Sequence, residues 1–208
     1  MTTIIGVKTR AGIILGADTL HQDVIINEKG KYKKTGNYSH STKLYSNKER
    51  TAVLSYAGTI NKKGKEILKD FSESRIDLSE KISKRFFQEV LTLNYEMWGG
   101  RCPNNNLVHY LLATRFDKPR LYICWELGLI EETNFYSLGS GSQFAWEFIH
   151  DKVGSFKEKG FSLNEGLKLV SGALIYSASK DSETKGLEMK VIYPDKIQKI
   201  FLKNQLKK

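Results

Sequence analysis

The chain has 208 residues and a formal net charge of +10, from 33 basic against 23 acidic residues, with 40% hydrophobic residues. That is enough for one well-filled core, and no linker, repeat or low-complexity block divides it, so 1–208 reads as one domain. No apolar run approaches the ~18 residues of a membrane span, and no basic-then-apolar leader opens the chain, so a soluble, cytoplasmic protein is expected.

In chain order, Thr3 to Thr9 is a β-rich strand, Arg10-Ala11-Gly12 a turn, and Ile13 to Thr19 a second, mostly apolar strand. This hairpin anchors the start of the chain. Further strands are expected at 41–46 and 50–57. A helix over 61–71 places Ile60, Ile67, Leu68 and Phe71 on one face. A second helix begins at Asp77 with Glu80 at capping-box spacing. It carries Ile82, Phe86, Val90, Leu93 and Met97 at helical intervals and stops at Gly99-Gly100.

Strands at 106–116, 119–126 and 133–138 follow, the first two joined by the turn "FDKPR". "GSGS" (139–142) leads into a helix over Gln143–Val153. "SLNE", with Ser162 and Glu165, caps a fourth helix that aligns Leu163, Leu167, Val170 and Leu174. Strands at 187–193 and 196–202, joined by "YPDK", close the order. Four strands, two helices, three strands, two helices and two strands do not alternate as a doubly wound sheet does. The expected fold is α+β: a four-layer αββα sandwich of two antiparallel sheets flanked by helix pairs.

Cys102 and Cys124 have no CxxC spacing and propose no zinc site; Cys124, in "LYICWE", reads as a small buried hydrophobe. Lysines gather in "EKGKYKK", "NKKGKEILK" and "KNQLKK". Such clusters could meet nucleic acid or an acidic partner, but no nucleic-acid-binding motif accompanies them, and solvated surface is the simpler reading.

Several residues could carry chemistry. Removal of Met1 would leave Thr2 with a hydroxyl and a free α-amine on one carbon. The amine, with an ordinary pKa of about 7.7–8.0, can serve as base for the hydroxyl. Alone, a threonine there merely begins a strand. Asp18, in "GAD", returns by hairpin geometry to the start of the first strand; alone it is a turn cap. Lys43, in "STKLYS", would pair with Asp18 and hold a fixed cation beside Thr2, lowering the amine pKa and favouring the oxyanion. Lys33 and Lys34 compete for that role, but no strand pattern follows them.

Gly58, in "SYAGT", could aim a backbone N–H at a tetrahedral intermediate, or simply make a turn. "GSGS" lacks the features of a phosphate loop and presents Ser140 at a bend. In "KDSETKG", Asp181 and Thr184 can bring a carboxylate and a hydroxyl into one tight loop.

With these residues gathered, the chain resembles a β-type proteasome subunit or its HslV-like bacterial relatives, within the N-terminal nucleophile hydrolases. "TTIIGVKTRAGIILGAD", "YAGT", "LGSGS" and "DSETKG" fall, in order, where that family has its motifs. The resemblance implies Thr2 as nucleophile, Lys43 and Asp18 as its electrostatic support, and Gly58 as oxyanion donor. It implies Ser140, Asp181 and Thr184 as the network holding the amine and a water. It also implies a first substrate pocket lined by His21, Gln22, Ser41, Tyr45, Tyr56 and Gly64, narrowed by its tyrosines toward small or medium apolar side chains.

The chain departs from the family pattern in several places. Thr184 replaces the usual serine, Leu20 stands where an arginine is often found, and the stretch from Asp18 to Lys43 is longer than typical, so an extended basic hairpin over 21–42 is expected to overhang the site. The implied activity is threonine endopeptidase, without cofactor or metal, acting on unfolded proteins or peptides. The implied assembly is a homo-oligomeric ring, with α-like subunits or an ATPase unfoldase as possible partners. A non-catalytic ring subunit, an amidase or transpeptidase using the same threonine, and a nucleic-acid binder remain open at this point.

Overall fold

The computed structural model describes residues 2–26, 32–58, 62–73, 109–116, 118–124, 130–153 and 160–200. Within them the chain is mixed α+β, with three antiparallel sheets. The expected helix from Asp77, Cys102 and the last lysine cluster lie outside the described residues.

The opening hairpin forms as expected: β1 (Thr3–Thr9) pairs with β2 (Gly12–Asp18) in the register Ile4↔Ala17 through Thr9↔Gly12. The turn is tighter than the sequence suggests. Gly12 belongs to β2, and a Cβ there would come within 2.3 Å of the Ile192 carbonyl oxygen, so no other residue fits without a shift. The chain then makes a separate two-stranded ribbon, β3 (Leu20–Ile26) with β4 (Tyr32–His40), where the long hairpin was expected. Next come β5 (Tyr45–Ser46), β6 (Ala52–Ala57) and helix α1 (Lys62–Ser72).

Beyond residue 108 come β7 (His109–Thr114), β8 (Arg120–Cys124), β9 (Ile130–Thr133) and β10 (Phe135–Gly139). Helices α2 (Ser142–Val153) and α3 (Leu163–Lys180) and strands β11 (Leu187–Ile192) and β12 (Ile197–Ile200) complete the order. The capping box on α3 is present, Ser162 and Glu165 each satisfying the other's backbone N–H.

Two five-stranded sheets result, ordered β10-β1-β2-β11-β12 and β5-β6-β7-β8-β9. Ile4, Ile13, Leu15 and Ala17 of the first meet Val53, Leu111, Ala113 and Leu121 of the second in one buried cluster. The alternate residues of the first sheet, among them Ile5, Ile14 and Val191, pack on Ile149 of α2 and Val170 and Leu174 of α3. Leu68 and Phe71 of α1 pack on Leu54, Tyr110 and Leu112 of the second sheet.

Two expected strands are corrected. The run 133–138 is not one strand. It divides at Asn134 into β9, paired with β8, and β10, paired with β1, so the chain changes sheets there. The Asn134 carbonyl accepts from Lys8 N–H at 2.7 Å, and the Thr133 hydroxyl donates to the Phe135 carbonyl, which satisfies the backbone at the crossing. The strand at 41–46 shrinks to Tyr45–Ser46, because side chains claim the backbone groups of Lys43 and Leu44 before a ladder can.

Candidate active site

Strand alternation separates the first two threonines. Continuing the pattern of β1, Thr2 faces the same side as Ile4, toward the second sheet, while Thr3 faces the helices with Ile5. Both are buried, with Thr2 only 6% exposed.

On the Thr2 side stands an ion pair. Lys43 Nζ donates to Thr2 Oγ1 at 3.0 Å and to Asp18 Oδ2 at 2.7 Å, and the two charged side chains are 1% and 0% exposed. Asp18, at the end of β2, also accepts from the N–H of Thr3 at 2.6 Å and of Leu20 at 3.1 Å. Its carboxylate thus takes the ladder's place one step beyond the Ile4↔Ala17 pair. Burial pulls the Lys43 ammonium below its ordinary pKa, opposed by Asp18 and Glu188. Burial likewise lifts the Asp18 carboxyl, opposed by Lys43 and the two N–H donors. A charge this dry acts strongly on a neighbouring oxygen.

On the Thr3 side hydroxyls converge on one carboxylate. Ser140 Oγ donates to Asp181 Oδ2 at 2.7 Å, and Thr184 Oγ1 donates to the same oxygen at 2.9 Å. Thr3 Oγ1 lies 2.7 Å from Thr184 Oγ1; since the Thr184 proton is committed to Asp181, Thr3 is the donor. Burial opposes ionisation of Asp181, but hydrogen bonds from Ser140, Glu183 N–H and Thr184 win and hold its carboxyl below the ordinary value. The two halves join through glycines. Gly139 sits opposite Thr3 with φ +96°, and a Cβ there would fall 1.6 Å from the Thr2 carbonyl oxygen. A Cβ on Gly141 would fall 2.1 Å from Thr3 Oγ1.

No family model matches this chain, and no curated protein matches it.

Of the seven residues singled out for chemistry, six fall into these two connected groups: Thr2, Asp18 and Lys43 in one, Ser140, Asp181 and Thr184 in the other. Gly58 sits just past the end of β6, exposed, with φ +120°. That conformation suits glycine, and no hydrogen bond among the described residues ties it to Thr2.

The pocket residues are less unified. Tyr45 and Tyr56 stack with ring centroids 6.2 Å apart, and burial pushes both phenols above their ordinary pKa. His21 is half-buried, its Nε2 is without a hydrogen-bond partner among the described residues, and burial, then Lys43 and Lys65, lower its pKa to about 4. Gln22 is spent on the Tyr38 hydroxyl at 3.1 Å, and Ser41 is exposed, its N–H donating to the Thr19 carbonyl. Gly64 lies in the first turn of α1. Lys33 and Lys34 lie on β4; the cation at Thr2 is Lys43. Among the described residues no group of His, Cys, Asp and Glu could hold a metal, and no helix is long and apolar enough to cross a membrane.

Sequence reading missed four participants. Thr3 reads as an ordinary strand residue. Gly141 reads as part of a bend, although its lack of a side chain is what admits the Thr3 and Thr184 hydroxyls. Glu188 and Lys190 read as the solvent face of "LEMKVI", yet Glu188 is 5% exposed and both reach across to residues 42–46.

Proposed function

We propose that this chain is a threonine-type endopeptidase subunit of the proteasome β kind, with Thr2 as nucleophile once everything preceding it is removed. The observation that carries the reading is the buried Lys43 ammonium, 3.0 Å from Thr2 Oγ1 and 2.7 Å from Asp18. A threonine hydroxyl that merely starts a strand has no use for a desolvated ion pair, which costs folding energy unless well paired.

In this reading the α-amine of Thr2 takes the hydroxyl proton, directly or through a water, as Oγ1 attacks the peptide carbonyl carbon. Lys43 stabilises the negative charge that develops on Oγ1, and Asp18 keeps that cation fixed. The tetrahedral oxyanion is assigned to the Gly58 N–H by resemblance. Collapse breaks the C–N bond, the protonated amine gives its proton to the leaving nitrogen, and an acyl-threonine ester remains. Water, deprotonated by the same amine, then hydrolyses the ester. Ser140, Asp181, Thr184 and Thr3 supply a hydroxyl–carboxylate network beside the Thr2 backbone, suited to holding the amine and that water.

The fold supports the same reading. Two sheets that share a core, with helices on their other faces, fit a four-layer αββα arrangement of N-terminal nucleophile hydrolase type. A peptidase of broad reach calls for confinement, so we place the subunit in a closed cytoplasmic ring, fed with unfolded protein by an ATPase or gated by α-like partners. No cofactor is needed.

The test is turnover of a fluorogenic peptide panel by protein whose N-terminus is verified by intact mass to be Thr2, compared with Thr2→Ala. Turnover is expected in the first and absent in the second. Equal turnover in both, or no labelling of Thr2 by an epoxyketone in processed and assembled protein, refutes the assignment.

A further inference from the structure

The Lys43 side chain hangs from a backbone held by other side chains rather than by a sheet. Glu188 Oε1 accepts from the N–H of Lys43 in a very short hydrogen bond and from the N–H of Leu44 at 3.1 Å. Its other oxygen accepts from the Thr42 hydroxyl at 2.7 Å. The Lys43 carbonyl accepts from Ser55 Oγ at 2.8 Å. Lys190, two residues along the same face of β11, donates to the Leu44 carbonyl at 2.6 Å and to Ser46 Oγ at 2.8 Å. Residues 42–46 are thus pinned to β11, the strand beside β2, whose last residue is Asp18.

We propose that Glu188, seconded by Lys190, is a positioning residue that sets the backbone of Lys43 so that its ammonium reaches Thr2 and Asp18 together. This rests on the peptidase reading for its consequence, though not for its geometry. The logic is one of leverage. A lysine stem has four flexible carbons, and its charge is useful at Thr2 Oγ1 only if the backbone origin is held; misplacement by about 1 Å at a reacting centre costs up to about a hundredfold in rate. A two-residue β5 could not hold it. Burying a carboxylate to 5% exposure against three donors does. The charged and titratable groups set around the Lys43 ammonium are Asp18 from β2, Glu188 from β11, His21 from β3 and, once Thr2 is exposed, its α-amine.

The experiment compares wild type, Glu188→Ala and Glu188→Gln, all with Thr2 exposed. One readout is peptide kcat and KM. The other is the Lys43 titration followed by the lysine 13Cε NMR signal, assigned through Lys43→Arg. Glu188→Ala is expected to lower kcat about 10- to 100-fold with KM within about twofold, and to move the Lys43 midpoint down by about one pH unit as a nearby opposite charge is lost. Glu188→Gln keeps an oxygen for the two N–H groups. It should recover most of kcat while retaining the lowered midpoint, a split that loss of packing alone does not produce, and it keeps the test open where the alanine variant does not fold.

Wild-type kcat in a folded Glu188→Ala, or an unchanged Lys43 midpoint in both variants, overturns the proposal. Absence of turnover and of Thr2 labelling in wild type refutes the peptidase reading instead. In that case amide hydrogen exchange at Lys43 and Leu44 decides the clamp: faster exchange in folded Glu188→Ala, largely restored in Glu188→Gln, supports it, and exchange unchanged from wild type in Glu188→Ala ends it.

Discussion

Replacing Lys43 by Met removes the ammonium while nearly keeping the stem's volume, and so isolates the charge. The variant leaves the Asp18 carboxylate, with no side-chain exposure, facing only the N–H groups of Thr3 and Leu20. Breaking one side of a fully buried pair costs about 3–5 kcal/mol. For a chain of this length that corresponds to a fall in Tm of roughly 6–20 °C. The loss should depend on pH. Without Lys43 the folded-state pKa of Asp18 rises further above its unfolded value, so the folded protein favours the protonated acid. The variant's deficit is therefore smallest below the unfolded value and grows as pH rises through the folded one. Urea unfolding at pH 5 and at pH 8 measures both effects. The double variant Asp18→Asn/Lys43→Met should lose less than the sum of the single ones, with a coupling of about 1–3 kcal/mol. If Lys43→Met lies within about 1 kcal/mol of wild type at pH 8, the charged buried pair does not exist and the argument for Thr2 falls with it.

Gly139→Ala forces a Cβ against the Thr2 carbonyl at a φ of +96°, so a loss above about 2 kcal/mol is expected in thermal unfolding. Thr184→Val, nearly isosteric, strips the hydroxyl between Thr3 and Asp181 and should cost about 1–3 kcal/mol by urea titration, while Thr184→Ser should cost much less. Asp181 has a depressed folded-state pKa, so its contribution is present above the unfolded value of 3.8 and is lost as pH falls through the folded one. Asp181→Asn should flatten that acid limb in a pH series of melts. His21, lowered to about 4, favours the neutral ring in the fold, so stability should drop as pH falls from 6.5 toward 4. His21→Gln should remove that slope.

Local pattern determined a good deal. Alternation and turn residues specify the opening hairpin, and a capping box with its apolar stripe specifies α3, because both signals act within a few residues of one another. They also bring Asp18 back beside Thr3, since a tight hairpin leaves no other place for it. The lysine was identifiable only by its pairing with that aspartate and by the resemblance to a known family. What the tertiary structure alone decided lies where distant segments compete for the same backbone groups. The Lys43 N–H could have joined a strand, but a carboxylate 145 residues away claims it. Glu188 and Lys190 alternate with Leu187 and Met189 as solvent-facing residues would, and nothing local says that their face meets residues 42–46 instead of water. The division of 133–138 at Asn134 is of the same kind: which sheet a short strand joins depends on the partner that offers a free edge, not on the strand's own residues.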